Sequence, residues 1–433
     1  MEWYNSLIII FCFLLFLMLM GTPIAYSLGF VALVAGLILI GPKILYMFAT
    51  VAYGKINSFA IVAVPLFIFM AEIVLVSGAA KDAFDMLQKW VGRLPGGLAI
   101  ASQIGCTLFA AVCGASTATT AVIGGMAVPE MINRGYDKRL ATGSIAAGGA
   151  LGVLIPPSLL LIIYGITTEA SIGQLFIGGV IPGLILAGKR IVYFLILCSI
   201  KPHLGPPASG ITWEERFRSL WKVFPLLSVA VFMFSALYTG MCTPTEVAGV
   251  GAGAAILIAL AYKRLSVLNL KDAFVKTSLT TCFIIWIIVA ATSFGFVLAY
   301  AQLPQKLVDW TLSLDVSPYA VIILINVLLF VLGCIMDPAA IILVTVPIFA
   351  PMVQALGFDL VWFGVMFVVN MELAEITPPL GLNLFIMKAV SPEGVTMKDI
   401  TIGAIPFMIL DIIGVALVII FPQLILWLPS KMV

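Results

Sequence analysis

Two proline pairs, each set inside a long hydrophobic segment, constrain this 433-residue chain more than any other feature. Ile155-Pro156-Pro157-Ser158 interrupts one segment, and Thr377-Pro378-Pro379-Leu380 interrupts another 222 residues further on. Other breakers keep the step. Pro129 recurs as Pro351, again 222 residues on, and Pro23 recurs as Pro244 at 221. Proline has no N–H to donate and its ring clashes with the preceding turn, so a proline pair breaks a helix. In hydrocarbon the freed backbone groups find no water, and the break survives only where protein or a hydrated cavity covers it. Two breaks at matching places of two half-chains predict discontinuous helices from two repeats meeting at one site.

The solvent follows from composition. The chain is 63% hydrophobic and 10% charged, more apolar surface than a soluble fold could bury. Apolar stretches of membrane-spanning length recur from end to end, which predicts an all-α polytopic membrane protein. No basic n-region precedes Leu7, so the N-terminal stretch reads as a retained span rather than a cleaved signal. A net charge of +2 and the lack of a basic, aromatic-interleaved patch give no reason to expect nucleic acid. The seven cysteines lie singly in apolar surroundings and read as small buried hydrophobes. The one histidine, His203, has no ligand cluster around it, so no transition-metal site is expected.

The first repeat is expected over residues 1–200. Its spans cover about 6–20, 25–40 and 58–76, followed by an amphipathic stretch at 81–91 with Phe84, Leu87, Trp90 and Val91 on one face. Residues 98–132 form two apolar arms around Gly114-Ala115-Ser116-Thr117. Residues 140–165 hold the broken helix, and 172–200 the last span. The polar segment 201–222 reads as the linker. The second repeat, 223–433, follows the same order, with a double arm at 319–356 around Asp337-Pro338, a broken helix at about 360–390 and a last span at 401–428. A hydrated loop would normally carry charge, and the first tip carries none. Both double arms therefore read as re-entrant hairpins with their tips buried in protein.

Charge counting favours this topology. With both hairpins re-entrant, each half crosses five times, and the two repeats run in opposite orientations. Sixteen of the 22 Lys and Arg residues then fall on one side. Lys43, Lys55, Lys306 and Lys431 fall on the other, and Lys189 and Arg190 stay unassigned inside a span. Cytoplasmic loops carry the excess, which makes the linker cytoplasmic and both termini periplasmic.

The tip Gly114-Ala115-Ser116-Thr117-Ala118-Thr119-Thr120 admits two readings. Its hydroxyls could simply cap a helix start. Alternatively, the free N–H groups and the helix dipole attract an anion, while unwound carbonyls near Leu154, Ile155 and Pro156 supply oxygens to a small hard cation such as sodium. Asp337-Pro338 is an ordinary helix start, yet a carboxylate at membrane depth is costly enough to suggest a cation site. Glu372 and Glu375 precede the second break, and Glu72 and Asp411 lie within spans. For these four, structural hydrogen bonding is the first expectation and direct ion coupling the second.

The two hairpins, the paired Pro-Pro breaks, the Gly-Ala-Ser-Thr-Ala-Thr tip and the run Asn370-Met371-Glu372-Leu373-Ala374-Glu375-Ile376-Thr377-Pro378-Pro379 together resemble the large membrane subunit of the tripartite ATP-independent periplasmic (TRAP) transporters. The resemblance spans essentially the whole chain. It implies an ion-transporter-superfamily fold of two inverted repeats, a scaffold with a mobile region working as an elevator, and sodium-coupled uptake of a small carboxylate across a bacterial inner membrane. It also implies two partners, a four-helix small membrane subunit, here expected to be unfused, and a periplasmic substrate-binding protein. Carried over by position, one sodium site involves Gly114, Ser116, Leu154, Pro156 and Pro157. The second involves Gly333, Asp337, Ile376, Thr377 and Pro378. The substrate lies near Ser116, Thr117, Ser158 and Asn370. The tips differ, Ser-Thr against Asp-Pro, which argues against a strictly symmetric pair of ion sites.

A standalone sodium–carboxylate symporter of the same superfamily is the alternative, separable by its independence of a binding protein. An enzyme is not expected. An intramembrane hydrolase needs a nucleophile beside a base, and the one histidine falls in the linker. No GxxxxGK[ST] loop supports an ATP-driven pump. A passive scaffold would have no use for two broken helices.

Overall fold

A computed structural model describes residues 3–207, 212–314 and 316–432. Ten helices precede residue 201: α1 (Trp3–Leu19), α2 (Ile24–Leu39), α3 (Ile44–Ile56), α4 (Ala63–Val76), α5 (Ala79–Val91), α6 (Gly97–Cys113), α7 (Ser116–Asn133), α8 (Lys138–Ala150), α9 (Leu159–Thr168) and α10 (Ile172–Ile200). Ten follow: α11 (Trp213–Tyr238), α12 (Pro244–Ala261), α13 (Val267–Tyr300), α14 (Leu303–Ser313), α15 (Pro318–Gly333), α16 (Pro338–Ala355), α17 (Leu360–Glu375), α18 (Leu382–Val390), α19 (Met397–Ile420) and α20 (Gln423–Leu426). No strand occurs among the described residues. Among the described residues, seven helical segments are long and apolar enough to cross a membrane, and one of them is α16, an arm of the second expected hairpin. Large apolar side chains such as Leu19, Ile38 and Leu257 stand exposed on the outer faces, where a bilayer would cover them.

The two halves share an element order. The 222-residue step carries the bounds of α7 onto those of α16. It also carries the stretch spanned by α3 and α4 onto α13, which is continuous. The first half breaks there at Asn57-Ser58, whereas α13 contains neither Gly nor Pro before Gly295. The separate helix α3 was not expected from the sequence. Two boundaries also differ from expectation. Residues 213–222, read as linker, are the first turns of α11, because Thr212 and Glu215 form a reciprocal capping box that starts the helix early. Residues 208–211 of that linker lie outside the described residues. The last span ends at Ile420, where Phe421-Pro422 stops it, rather than at 428. Among the cysteines, Cys12 and Cys282 are exposed on outer faces and the other five are wholly or partly buried.

Small residues let the central helices approach backbone to backbone. A Cβ on Gly143 of α8 would overlap the Gly403 carbonyl of α19, and one on Gly149 would overlap the Thr120 hydroxyl of α7. Such contacts suit a membrane interior, where helix association depends on close packing rather than on the hydrophobic effect. The base of the α6–α7 pair is tied by Tyr136. Its hydroxyl accepts from the Leu98 N–H at 3.0 Å, and burial pushes the phenol up to about 12.

Candidate functional site

Each half builds the same junction. In the first, α6 ends at Gly114, which adopts φ +65°, and α7 restarts at Ser116. Nearby, α8 gives way to a 3-10 turn at Leu151–Val153, an irregular stretch through Pro157, and then α9. The Leu159 N–H donates to Gly114 O at 3.4 Å, and the Pro157 carbonyl faces the Gly114 α-carbon so closely that no Cβ fits there. Gly152 lies equally close to the tip: a Cβ on it would come within 2.8 Å of Ala115 O. In the second half, the Leu380 N–H donates to Cys334 O at 3.0 Å, and Gly333 packs on Ala374 of α17. Both proline pairs contain a cis bond. The junctions differ in exposure. Leu154 through Ser158 are buried, whereas Asp337, Pro378 and Pro379 are exposed.

The tip hydroxyl does not cap. The residue preceding α7 is Ala115, and no side chain caps that helix. Ser116 instead donates to Glu375 Oε1 at 2.8 Å, joining the first-half tip to the last residue of α17 in the second half. Asn383 of α18 reaches Glu375 Oε2 at 3.5 Å. Asp337 does cap, accepting from the N–H groups of Ala339 at 2.9 Å and Ala340 at 3.4 Å.

The sequence-derived candidates therefore separate. Gly114, Ser116 and Pro157 meet at the first junction. The Leu154 carbonyl oxygen lies against Gly179 of α10, and Pro156 is buried with its neighbours. Gly333, Ile376 and Thr377 lie at the second junction, with the Thr377 hydroxyl spent on Leu373 O at 2.7 Å, while Asp337 and Pro378 are exposed. The four candidate substrate residues do not share one surface. Thr117 is exposed. Ser158 turns inward, donating to Val153 O and accepting from Leu161 N. Asn370 donates to Asn326 of α15, at 2.8 Å to its carbonyl and 2.9 Å to its side chain.

Sequence reasoning missed the charge centre behind this site. Arg190, 0% exposed, donates to Glu372 Oε1 and Asp411 Oδ2 at 2.6 Å each and to Ala147 O at 2.7 Å. Lys189 donates to Leu410 O and lies 3.6 Å from Asp411. The signal was legible, since two basic residues inside an apolar span require counter-ions and two acidic ones also sat inside spans. For Glu372 and Asp411 the expected structural hydrogen bonding is what the structure shows. Among the described residues Glu72 makes no such hydrogen bond: Lys276 stands 3.8 Å away, and one of its oxygens is unbonded.

Residues 11–424 match the family described as "Tripartite ATP-independent periplasmic transporter, DctM component". The chain is 34% identical to the C4-dicarboxylate TRAP transporter large permease protein DctM of Pseudomonas aeruginosa, covering 91% of this chain and 92% of that one. It is 32% identical to the sialic acid TRAP transporter large permease protein SiaM of Vibrio cholerae, covering 96% of each. Its fold is similar to that of the Alcanivorax borkumensis YdaH transporter, with a TM-score of 0.69 at 15% identity over 92% of this chain and 96% of that one. A multi-pass membrane chain that matches over nearly its whole length at this identity is a transport protein rather than an enzyme, and it belongs to the DctM-component family of TRAP transporter large permeases.

Proposed function

We propose that the chain is the large permease of a sodium-coupled importer of a small organic acid, working with a small membrane subunit and a periplasmic binding protein in a bacterial inner membrane. The observation that carries this reading is the repeated junction. A helix-pair tip in each half accepts a backbone hydrogen bond from a residue just beyond a proline pair, two positions on in the first half and one in the second. At such a junction helix ends leave carbonyl and N–H groups without intrahelical partners, the groups that hold a small cation and a carboxylate in neighbouring places. The two sodium ions would sit there, one at Gly114, Ser116 and residues 154–157, the other at Gly333, Asp337 and residues 376–378. The substrate carboxylate would face the uncapped start of α7, near Ser116 and Thr117.

In this reading the double arms enter the bilayer from opposite faces, the two halves are inverted and both termini are periplasmic. Transport proceeds by an elevator movement of the tips and broken helices against the remaining helices. The relatives differ in the solute their names give, a C4-dicarboxylate for one and sialic acid for another, so likeness leaves the acid open. The test is uptake into proteoliposomes holding this chain and its small subunit, with a loaded binding protein outside. Uptake should require an inward sodium gradient and the binding protein. Uptake without sodium would refute the coupling, and uptake without the binding protein would favour the standalone symporter.

A further inference from the structure

We propose that a cavity beside Lys55 is a second, transient binding site for a carboxylate, a station the substrate occupies between the periplasm and the tips. The inference rests on the proposed topology, which puts Lys55 on the periplasmic side. The cavity measures about 810 Å³, within the roughly 300–1,000 Å³ that small-molecule sites usually occupy. Its walls come from α3 and the turn after it, the turn between α9 and α10, the starts of α10 and α12, and Met432. The break at Asn57-Ser58 shapes one wall, and the matching stretch of the second half is the unbroken α13, so the halves differ here. α9 links the cavity to the first junction. It begins at Leu159, bonded to the tip, and its ten residues span ~15 Å to the cavity wall at Gly165 and Ile166.

The charges on the walls favour an anion. Among the described residues, Lys55 is the one basic lining residue and Glu169 the one acidic. They pair at 3.4 Å, but the Glu169 side chain is 84% exposed and that of Lys55 only 24%. An exposed carboxylate at that distance is a weak partner. Lys55 is held independently, donating to Ile166 O at 3.2 Å in the last turn of α9, where the helix dipole favours a cation. An incoming carboxylate therefore takes the place of Glu169 without dislodging the ammonium. The rest of the wall adds donors. Ile172 and Gly173 line it at the start of α10, where N–H groups lack intrahelical acceptors. The Ser58 hydroxyl, which does not cap the turn it precedes, lines it too. Glu246, in the first turn of α12, is occupied by the N–H and hydroxyl of Thr243. One cation weakly answered by a displaceable carboxylate holds an acid loosely, which suits a station on a route rather than an end point.

Cys242 lines the same cavity and is partly buried, so its thiol serves as the reporter. The permease with its small subunit, in right-side-out vesicles, is treated from outside with an anionic or a cationic methanethiosulfonate, and mass spectrometry follows Cys242. Succinate should slow the labelling several-fold, and succinamide, its neutral analogue, at equal ionic strength should not. Lys55→Gln should abolish this protection and lower the ratio of anionic to cationic labelling rates about 5–10-fold, whereas Lys55→Arg should keep both. No protection by succinate, equal protection by succinamide, or protection unchanged in Lys55→Gln overturns the proposal. The comparison of succinate with succinamide stands if Lys55→Gln fails to assemble. Labelling of Cys242 from the cytoplasmic side alone refutes the topology, and this site with it. Selective protection by succinate alongside sodium-independent uptake refutes only the coupling proposed above.

Discussion

Gly152→Ala isolates the close approach of the first broken helix to the first tip. Gly152 lies in the 3-10 turn after α8, and an added Cβ would meet Ala115 O at 2.8 Å, Ala115 C at 2.9 Å and Ser116 Cα at 2.9 Å. All three are backbone atoms of the tip, so no side chain can rotate away. The junction must spread, which should cost about 1–3 kcal/mol as overpacking. Gly125→Ala is the matched control. It sits in α7 with nothing within 4 Å of the new Cβ, and there alanine should stabilise the helix by about 0.5–1 kcal/mol. The two variants, each adding one methyl group, should therefore differ by ~1.5–4 kcal/mol in opposite directions. Thermal unfolding of the detergent-extracted permease reads the difference as a lower Tm for Gly152→Ala and an unchanged or higher one for Gly125→Ala. Uptake should fall in the first, because the Ser116 contact with Glu375 shifts with the tip. Equal Tm values and equal uptake would refute the junction itself.

Arg190→Met should leave Glu372 an uncompensated buried carboxylate and Asp411 with Lys189 alone, costing about 3–5 kcal/mol. The triple variant with Glu372→Gln and Asp411→Asn should recover much of the yield of monodisperse protein, and no recovery would mean the carboxylates are not what Arg190 neutralises. Asp337→Asn should keep the α16 cap, since Asn caps as well as Asp, and so leave Tm unchanged while weakening sodium activation of uptake. Unchanged sodium activation removes Asp337 from any ion site. Ser116→Ala should reduce uptake while the permease still assembles with its small subunit, and normal uptake would remove Ser116 from the transport site.

Hydropathy and proline placement marked most of the helices, because a membrane span must be apolar along its whole length and a proline pair interrupts any helix. The tip at Gly114 and the break at Pro156 were visible for that reason, and so was the family resemblance carried by residues 370–379. The start of α11 was visible only to a reader who let the Thr212-x-x-Glu215 pattern override polarity. The split between α3 and α4 was harder, since Asn57-Ser58 is a weak signal beside the stronger breakers around it.

Partnership was not legible in the sequence. Ser116 carries the same hydroxyl whether it caps its own helix or reaches Glu375, 259 residues away, and only the docking of one half on the other makes that choice. Asn370 is a substrate residue only by resemblance, and its bond to Asn326 of α15 came from the fold alone. Arg190 was an anomaly inside a span until α17 and α19 closed around it. Local chemistry along the chain determined where helices run, where they stop and which solvent surrounds them. Which buried charge is answered and which is left over was decided by three-dimensional proximity, because a charge interaction at membrane depth is set by the few ångströms that separate the groups, a distance only tertiary packing sets.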